Sequence, residues 1–398
     1  MQMTKNQTKN KRIASDMLKN ILSKYSMVFI FIALLLLFQY LTGGIIFRPL
    51  NVTNLILQNA YVLVLALGML LVVLLGNVDL SVGSVVAFVG AVAGKLMVDM
   101  NWNPYIVIPL ALIIGGIIGI WNGYWIAYLG IPSFVVTLGG LLMFRGLTQI
   151  ILGGKTLAPF PEEFQFISSG YFPSLNPGGF HLLSVILGAV ITIITIFMLI
   201  SSRKTKEKNL YEVESMGMFI TKMILTIALI MGVTWVLAQY RGYPFVLVIL
   251  AFLTMIFSFV TKKTTIGRRI YATGGNRKAA QLSGVNTKSL EFWIFVNMGV
   301  MSALAGLVLA SRLNASTPQA GEGFELDALA AVYIGGASTS GGIGTVLGTI
   351  IGALIMGLLN NGMSIMGVGV DWQSAIKGLI LIFAVVFDVW NRKRKLKA

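Results

Sequence analysis

The 398-residue chain has no cysteine and one histidine, His181. The first absence excludes disulfides and thiol chemistry, and the two together leave no Cys/His metal-ligand set. A Ser-His or Cys-His nucleophile would have to use His181, which has no evident partner nearby and reads as a lone histidine at a loop edge. An enzyme with a resident cofactor or metal is not expected. Charge is also scarce. Charged residues make up 11% of the chain, with 14 acids against 30 lysines and arginines. Carriers driven by protons or sodium usually hold several acids or histidines within their spans. Here acids inside the apolar runs look nearly absent, which argues against that class.

What the chain has in quantity is apolar sequence. Hydrophobic residues reach 56% and the mean hydropathy is +0.85, well above a soluble domain. A bilayer core needs about 20 apolar residues per helical span, and runs of that kind recur along the sequence. Strands of a membrane barrel would be about 10 residues long and alternate in polarity, which this pattern excludes. The expected fold is all-α and polytopic, a single transmembrane domain over 1–398.

The net charge of +16 is not spread evenly. Six basic residues precede residue 25, five lie in 203–222, seven in 262–288 and five from Arg392 onward. Each cluster abuts an apolar run, as cytoplasmic segments do under the positive-inside rule, and attraction to anionic lipid accounts for the remainder. Nucleic acid is not needed to explain it. The first apolar run is long and no A-x-A-like site follows it, so 1–24 is expected to be a cytoplasmic tail rather than a cleaved signal. The segments 261–290 and 391–398 are likewise expected inside.

From an inside start, spans are expected at about 27–47, 54–76, 80–98, 105–128, 132–152, 181–200, 221–238, 244–260, 291–311 and 373–390. A long outer loop, 153–180, carries Pro159, Pro161, Pro173 and Pro177. The stretch 326–359 is interrupted by GGASTSGGIG at 335–344 and reads as two short helices broken by glycine, giving 12 crossings. Ten crossings with a re-entrant segment is the alternative. Glycines four apart at 115, 119 and 123, and again at 344, 348 and 352, read as seams where helices approach closely.

The string LGGKT at 152–156 is not a phosphate loop, because the motif needs a glycine at 149 and Gln149 stands there. Any ATP energy therefore comes from a partner. Polar residues inside apolar surroundings are costly and worth noting. GNVDLSVGS at 76–84 brings Asn77, Asp79, Ser81 and Ser84 between two apolar runs, either as a broken-helix pathway element or as a turn in which Asp79 caps the next helix. Asn122, Gln149, Asn297, Asn360 and Asn361 are suited either to a polyol or to neighbouring helices. Asn77, Asp79, Ser81, Asn122, Asn360 and Asn361 are taken as the candidate pathway set. Arg145 is expected to pair internally or to reach the outer face.

Four stretches carry a family resemblance: VDLSVGS at 78–84, IPSFVVTLGGLLMFRG at 131–146, GRRIYATGGNRKAAQLSGVN at 267–286, and ELDALAAVYIGGASTSGGIGTVLGTIIGALIMGLLNNG at 325–362. In that order they resemble the permeases of ribose and xylose ABC importers. Many relatives have a second glycine and an isoleucine where this chain has Asn77 and Val78. The length favours the xylose or multiple-monosaccharide branch, since ribose-type permeases lack an insert around 165–245. The resemblance implies a type II importer fold and a homodimeric permease around a central path. It also implies a cytosolic ATPase subunit, an extracytoplasmic sugar-binding protein and a place in the cytoplasmic membrane. A permease for branched-chain amino acids or nucleosides is the alternative.

Within 261–290, the stretch 276–282 is framed by Gly274, Gly275 and Gly284 and reads as a compact helical element at the aqueous surface. By resemblance it is the coupling helix that docks on the ATPase. Gly274, Gly275, Asn276, Ala279, Ala280 and Gly284 are the candidate coupling residues, with the small side chains of Ala279 and Ala280 allowing close approach.

Overall fold

The computed structural model describes residues 26–174, 180–211 and 213–397. The expected N-terminal tail, 1–24, lies outside them. Described elements are helical, and two isolated bridges, Leu157 with Ser316 and Tyr171 with Pro244, are the extended pairings among them. Among the described residues, nine helices are long and apolar enough to cross a bilayer.

The chain runs α1 (Ser26–Leu41), α2 (Pro49–Leu74), α3 (Val82–Gly94), α4 (Pro104–Gly123), α5 (Ser133–Leu152), α6 (Glu162–Ser169), α7 (Leu182–Lys208) and α8 (Met216–Ala238). It continues through α9 (Val246–Lys263), α10 (Thr265–Gly275), α11 (Arg277–Leu282), α12 (Thr287–Leu313), α13 (Phe324–Ile334), α14 (Val346–Ile365) and α15 (Val370–Lys397). Helices α3 and α4 each end in a π-helical turn, Lys95–Asp99 and Tyr124–Tyr128.

Helix α2 is the axis of the fold. Pro49 suits its first turn because proline's fixed φ fits there and its missing N–H has no helical partner to lose. Nearly everything from Ala60 to Leu74 is buried, against α12, α13, α14 and α9. A helix that is apolar all round belongs in such a position.

The two glycine seams form largely as expected. A Cβ at Gly115 would lie 2.5 Å from the Gly299 carbonyl, and one at Gly119 would lie as close to that of Phe295, so α4 and α12 meet backbone to backbone. In the second seam Gly348 and Gly352 abut Gly335 and the Ala331 carbonyl of α13. Gly344 lies outside the helix, in the preceding loop, with φ +157.

Four expectations are corrected. The broken stretch is unequal: α13 has 11 residues, about 16 Å at 1.5 Å per residue, while α14 has 20. The first helix ends at Leu41 rather than near 47. The proline-rich outer loop contains α6, pinned to α12 where Ser311 Oγ donates to the Gln165 carbonyl (2.9 Å) and accepts from Ser168 N–H (3.0 Å). His181 stands at a loop edge as expected but is not alone there. It is buried and caps α7, its ring 2.9 Å from Ser184 Oγ.

Helices α7 and α8 lie within 165–245, the stretch that the resemblance marks as an insert. They pack mainly on each other, with Gly188 facing Thr234. Only 17% and 11% of their apolar windows are buried, against 83% for α2, so the hairpin is peripheral to the core.

Candidate coupling elbow and polar interior

Three short-range capping interactions divide 264–290 into separate helices. Thr264 accepts from Gly267 N–H (3.2 Å), Asn276 from Ala279 N–H (3.0 Å) and Asn286 from Ser289 N–H (3.0 Å). Each satisfies a backbone donor that a helix start leaves unpaired. Gly284, at φ +83, makes the turn after α11 in a conformation other residues resist.

The elbow is tied to the core at three points. A Cβ at Gly274 would overlap the Leu74 carbonyl and lie 2.6 Å from Gly342 N, so the end of α10 sits directly on the end of α2 and the glycine loop. Gly342 N–H in turn donates to the Leu74 carbonyl (2.9 Å), and Tyr271 hydroxyl donates to the Gly344 carbonyl (2.8 Å). The third tie is ionic. Arg277 donates twice to Glu291, at 3.1 and 2.6 Å, and Asn77 Nδ2 donates to the same carboxylate at 2.7 Å. Glu291 is 3% exposed and Arg277 47%. The hydrogen bonds to Glu291 raise the Arg277 pKa above the usual guanidinium value, so Arg277 stays charged at any physiological pH.

Outward, α11 presents Lys278, Ala279 and Gln281 to solvent, and Leu282 is 90% exposed. Ala280 is buried within the chain. Its small side chain is thus used by the elbow itself, and of the apolar side chains on α11 Ala279 and Leu282 are the ones that face outward. A lone leucine ending the polar hexapeptide RKAAQL was the available signal for Leu282.

The candidate pathway residues divide among different partners. Asp79 Oδ1 accepts from Ser81 N–H (2.9 Å) and Ser81 Oγ (2.6 Å). Asn122 Nδ2 donates to Ser81 Oγ (3.1 Å). All three are buried, joining the start of α3 to α4. Asn77 belongs to the ionic clamp. Asn361 forms a reciprocal amide pair with Asn51, 3.1 Å in each direction, closing the end of α14 on the start of α2. Asn360 lies beside Asp327, which pairs with Lys377 of α15 at 3.1 Å.

Acids inside the bundle are therefore more numerous than they looked: Glu291, Glu325 and Asp327 all lie there. Asp327 and Glu291 are each paired with a cation, unlike a chain of titratable relays. Arg145 pairs internally, donating to the carbonyls of Pro318 (3.2 Å) and Ala320 (2.7 Å). Those carbonyls belong to a non-helical stretch, 314–323, that runs back along α3. Ser316 Oγ donates to the Gly90 carbonyl and Gly321 rests on Gly83. Irregular backbone of this sort is tolerated in a membrane protein only where protein or water surrounds it.

Comparison with known proteins agrees with this architecture. Residues 51–385 match the family described as branched-chain amino acid transport system / permease component. The chain is 39% identical to the xylose transport system permease protein XylH of Haemophilus influenzae, covering 94% of this chain and 98% of that one. It is 38% identical to XylH of Escherichia coli K12 over 94% and 93% of the two chains. It is 33% identical to the ribose import permease protein RbsC of Bacillus subtilis over 96% and 97%. No solved structure matches it.

Proposed function

The chain belongs to the permease-component family of branched-chain amino acid type transport systems, and from that premise we propose that it forms the path by which a monosaccharide, a xylose-type pentose or a hexose, enters the cell through an ATP-binding-cassette importer. The observation that carries the sugar is the 39% identity to a xylose permease across nearly the whole of both chains. It is a multi-pass protein of the cytoplasmic membrane and a transporter subunit, not an enzyme. ATP hydrolysis falls to a separate cytosolic ATPase.

The elbow is where that ATPase acts. A surface helix carrying an exposed leucine suits a partner's groove, since isolated large apolar side chains on an aqueous face gain by being covered. Force applied to α11 has two short routes inward. One is the Gly274 contact with Leu74 and Gly342, and the other is Arg277 through Glu291 to Asn77. Both end at breaks in helices, residues 75–81 and 335–345, where chain can move without unwinding a span. Alternating access then amounts to rocking α2, α3 and α13 against the rest.

Orientation follows from the basic clusters, with both termini, the elbow and the α7–α8 connection on the cytoplasmic side. The opposite end, with α6 and the 99–104 turn, receives an extracytoplasmic sugar-binding protein. A second copy completes the path. In support, Glu322, just before α13, is exposed in the single chain, and a carboxylate within a membrane bundle needs an aqueous or protein neighbour rather than lipid.

The test is Leu282→Glu. The variant should insert and fold normally yet lose co-purification with its ATPase, or lose sugar-stimulated ATP hydrolysis by about tenfold or more, the scale of a central interface anchor. Normal recovery and normal stimulation would remove α11 from the interface.

A further inference from the structure

We propose that Lys377 is a positioning residue for transport: through Asp327 it holds the first turn of α13 at a fixed point, about which the elbow swings the other end of that helix. This rests on the reading of the chain as an ATP-driven sugar permease and adds to it a pivot.

Helix α13 is a short rod with loose connections. It has 11 residues, about 16 Å, too few to cross the roughly 30 Å apolar layer. Non-helical backbone flanks it on both sides, 314–323 before it and 335–345 after it. No rigid helix continues into it from either side, so its tilt is set by what grips it laterally.

The grip differs between its two ends. At the C-terminal end the contact with α14 is the small-residue seam, in which Gly348 and Gly352 abut Gly335 and the Ala331 carbonyl. Without interlocking side chains, such a seam permits the small sliding of a shear motion. That end also runs into the glycine loop, where Gly342 N–H donates to the Leu74 carbonyl (2.9 Å) and Gly274 of the elbow packs on both. At the N-terminal end, Phe324 stacks on Tyr61 of α2 with centroids 4.1 Å apart, but α2 rocks with it. Towards α15 the tie at this end is ionic. Lys377 Nζ donates to both Asp327 carboxylate oxygens, at 3.1 and 3.4 Å. Asp327 is the fourth residue of α13, and its side chain is 4% exposed against 22% for Lys377.

Stability does not account for such a pair. Neutral residues of similar volume in place of a buried ion pair are often as stable or more so, and charge inside a membrane bundle is costly to keep. An ion pair supplies one definite geometry, which a slippery apolar contact does not. Helix α15 is placed to hold it. Leu379, Ile382 and Phe383 are exposed, so the helix borders the bundle, and Gln373 Nε2 fastens its start to the Val368 carbonyl (2.8 Å) beyond α14. Lys377 stands where the polar first turns of α15 give way to the apolar run 378–387.

The experiment uses the permease reconstituted with its ATPase and saturating binding protein. It reads the sugar imported per ATP hydrolysed, which a merely structural tie would not move. The variant is the neutral pair, Asp327→Asn with Lys377→Gln, because it leaves no charge buried alone. It should insert, melt close to the parent and still hydrolyse ATP. It should import about fivefold less sugar per ATP, or worse, the lower end of a coupling between sites. An unchanged ratio, whatever the absolute rate, would overturn the proposal. So would a neutral pair that fails to insert or fold, since the ion pair would then be a requirement of the fold. A parent that imports no monosaccharide is a separate failure, that of the importer reading itself.

Discussion

The clamp of Arg277, Glu291 and Asn77 is the tie most open to measurement. Arg277→Ala leaves Glu291 buried with only the Asn77 amide for company. Breaking a buried pair from that side costs about 3–5 kcal/mol. Arg277 is 47% exposed, so part of the pair's strength is already screened and about 3 kcal/mol is expected. Glu291→Gln is milder, because Arg277 can turn to water and the carboxamide still accepts from Asn77. About 1 kcal/mol is expected. The double variant removes both charges and should fall well short of the sum, an interaction of about 2 kcal/mol. Thermal unfolding of the detergent-solubilised permease, followed by fluorescence-detected gel filtration, gives the order of the midpoints. Arg277→Ala should be lowest, with the double variant above it. Additive losses, or a greater loss from Glu291→Gln, would refute the reasoning.

Cysteines placed at Lys206 and Lys278 should resist an impermeant thiol reagent applied outside, while one at Glu163, which is exposed, should react. The cysteine-free background makes this clean, and outside labelling at 278 would invert the topology. The Asn51–Asn361 pair predicts that Asn361→Ala costs about 1–3 kcal/mol, the penalty of leaving a buried amide unpaired. Asn51→Leu with Asn361→Leu should restore much of it, and a double variant as unstable as the sum of the singles would show that the pair is not a unit.

The spans were legible because each is a long apolar run, and α11 because glycine and Asn276 bracket it. The unequal split of α13 and α14 was not legible. Both halves are equally apolar, and what shortens α13 is the non-helical 314–323 stretch, whose partners Gly83, Gly90 and Arg145 are distant in sequence. Helix α6 had its signals, Pro161 followed by Glu162 and Glu163 in a first turn, but the surrounding prolines masked them. Among the polar residues, composition singled out the asparagines. Glu291 and Arg312 passed unnoticed, since at the ends of spans they look like ordinary interfacial charges. Only the neighbours supplied by folding show that one is clamped and the other outside any ion pair among the described residues.

The central claim is that this chain carries sugar only as part of an ATP-driven assembly. Proteoliposomes holding the permease, with and without its ATPase and binding protein, test it directly. The account predicts accumulation of xylose or a related monosaccharide only when both partners and ATP are present. Accumulation by the permease alone under a proton or sodium gradient would contradict it.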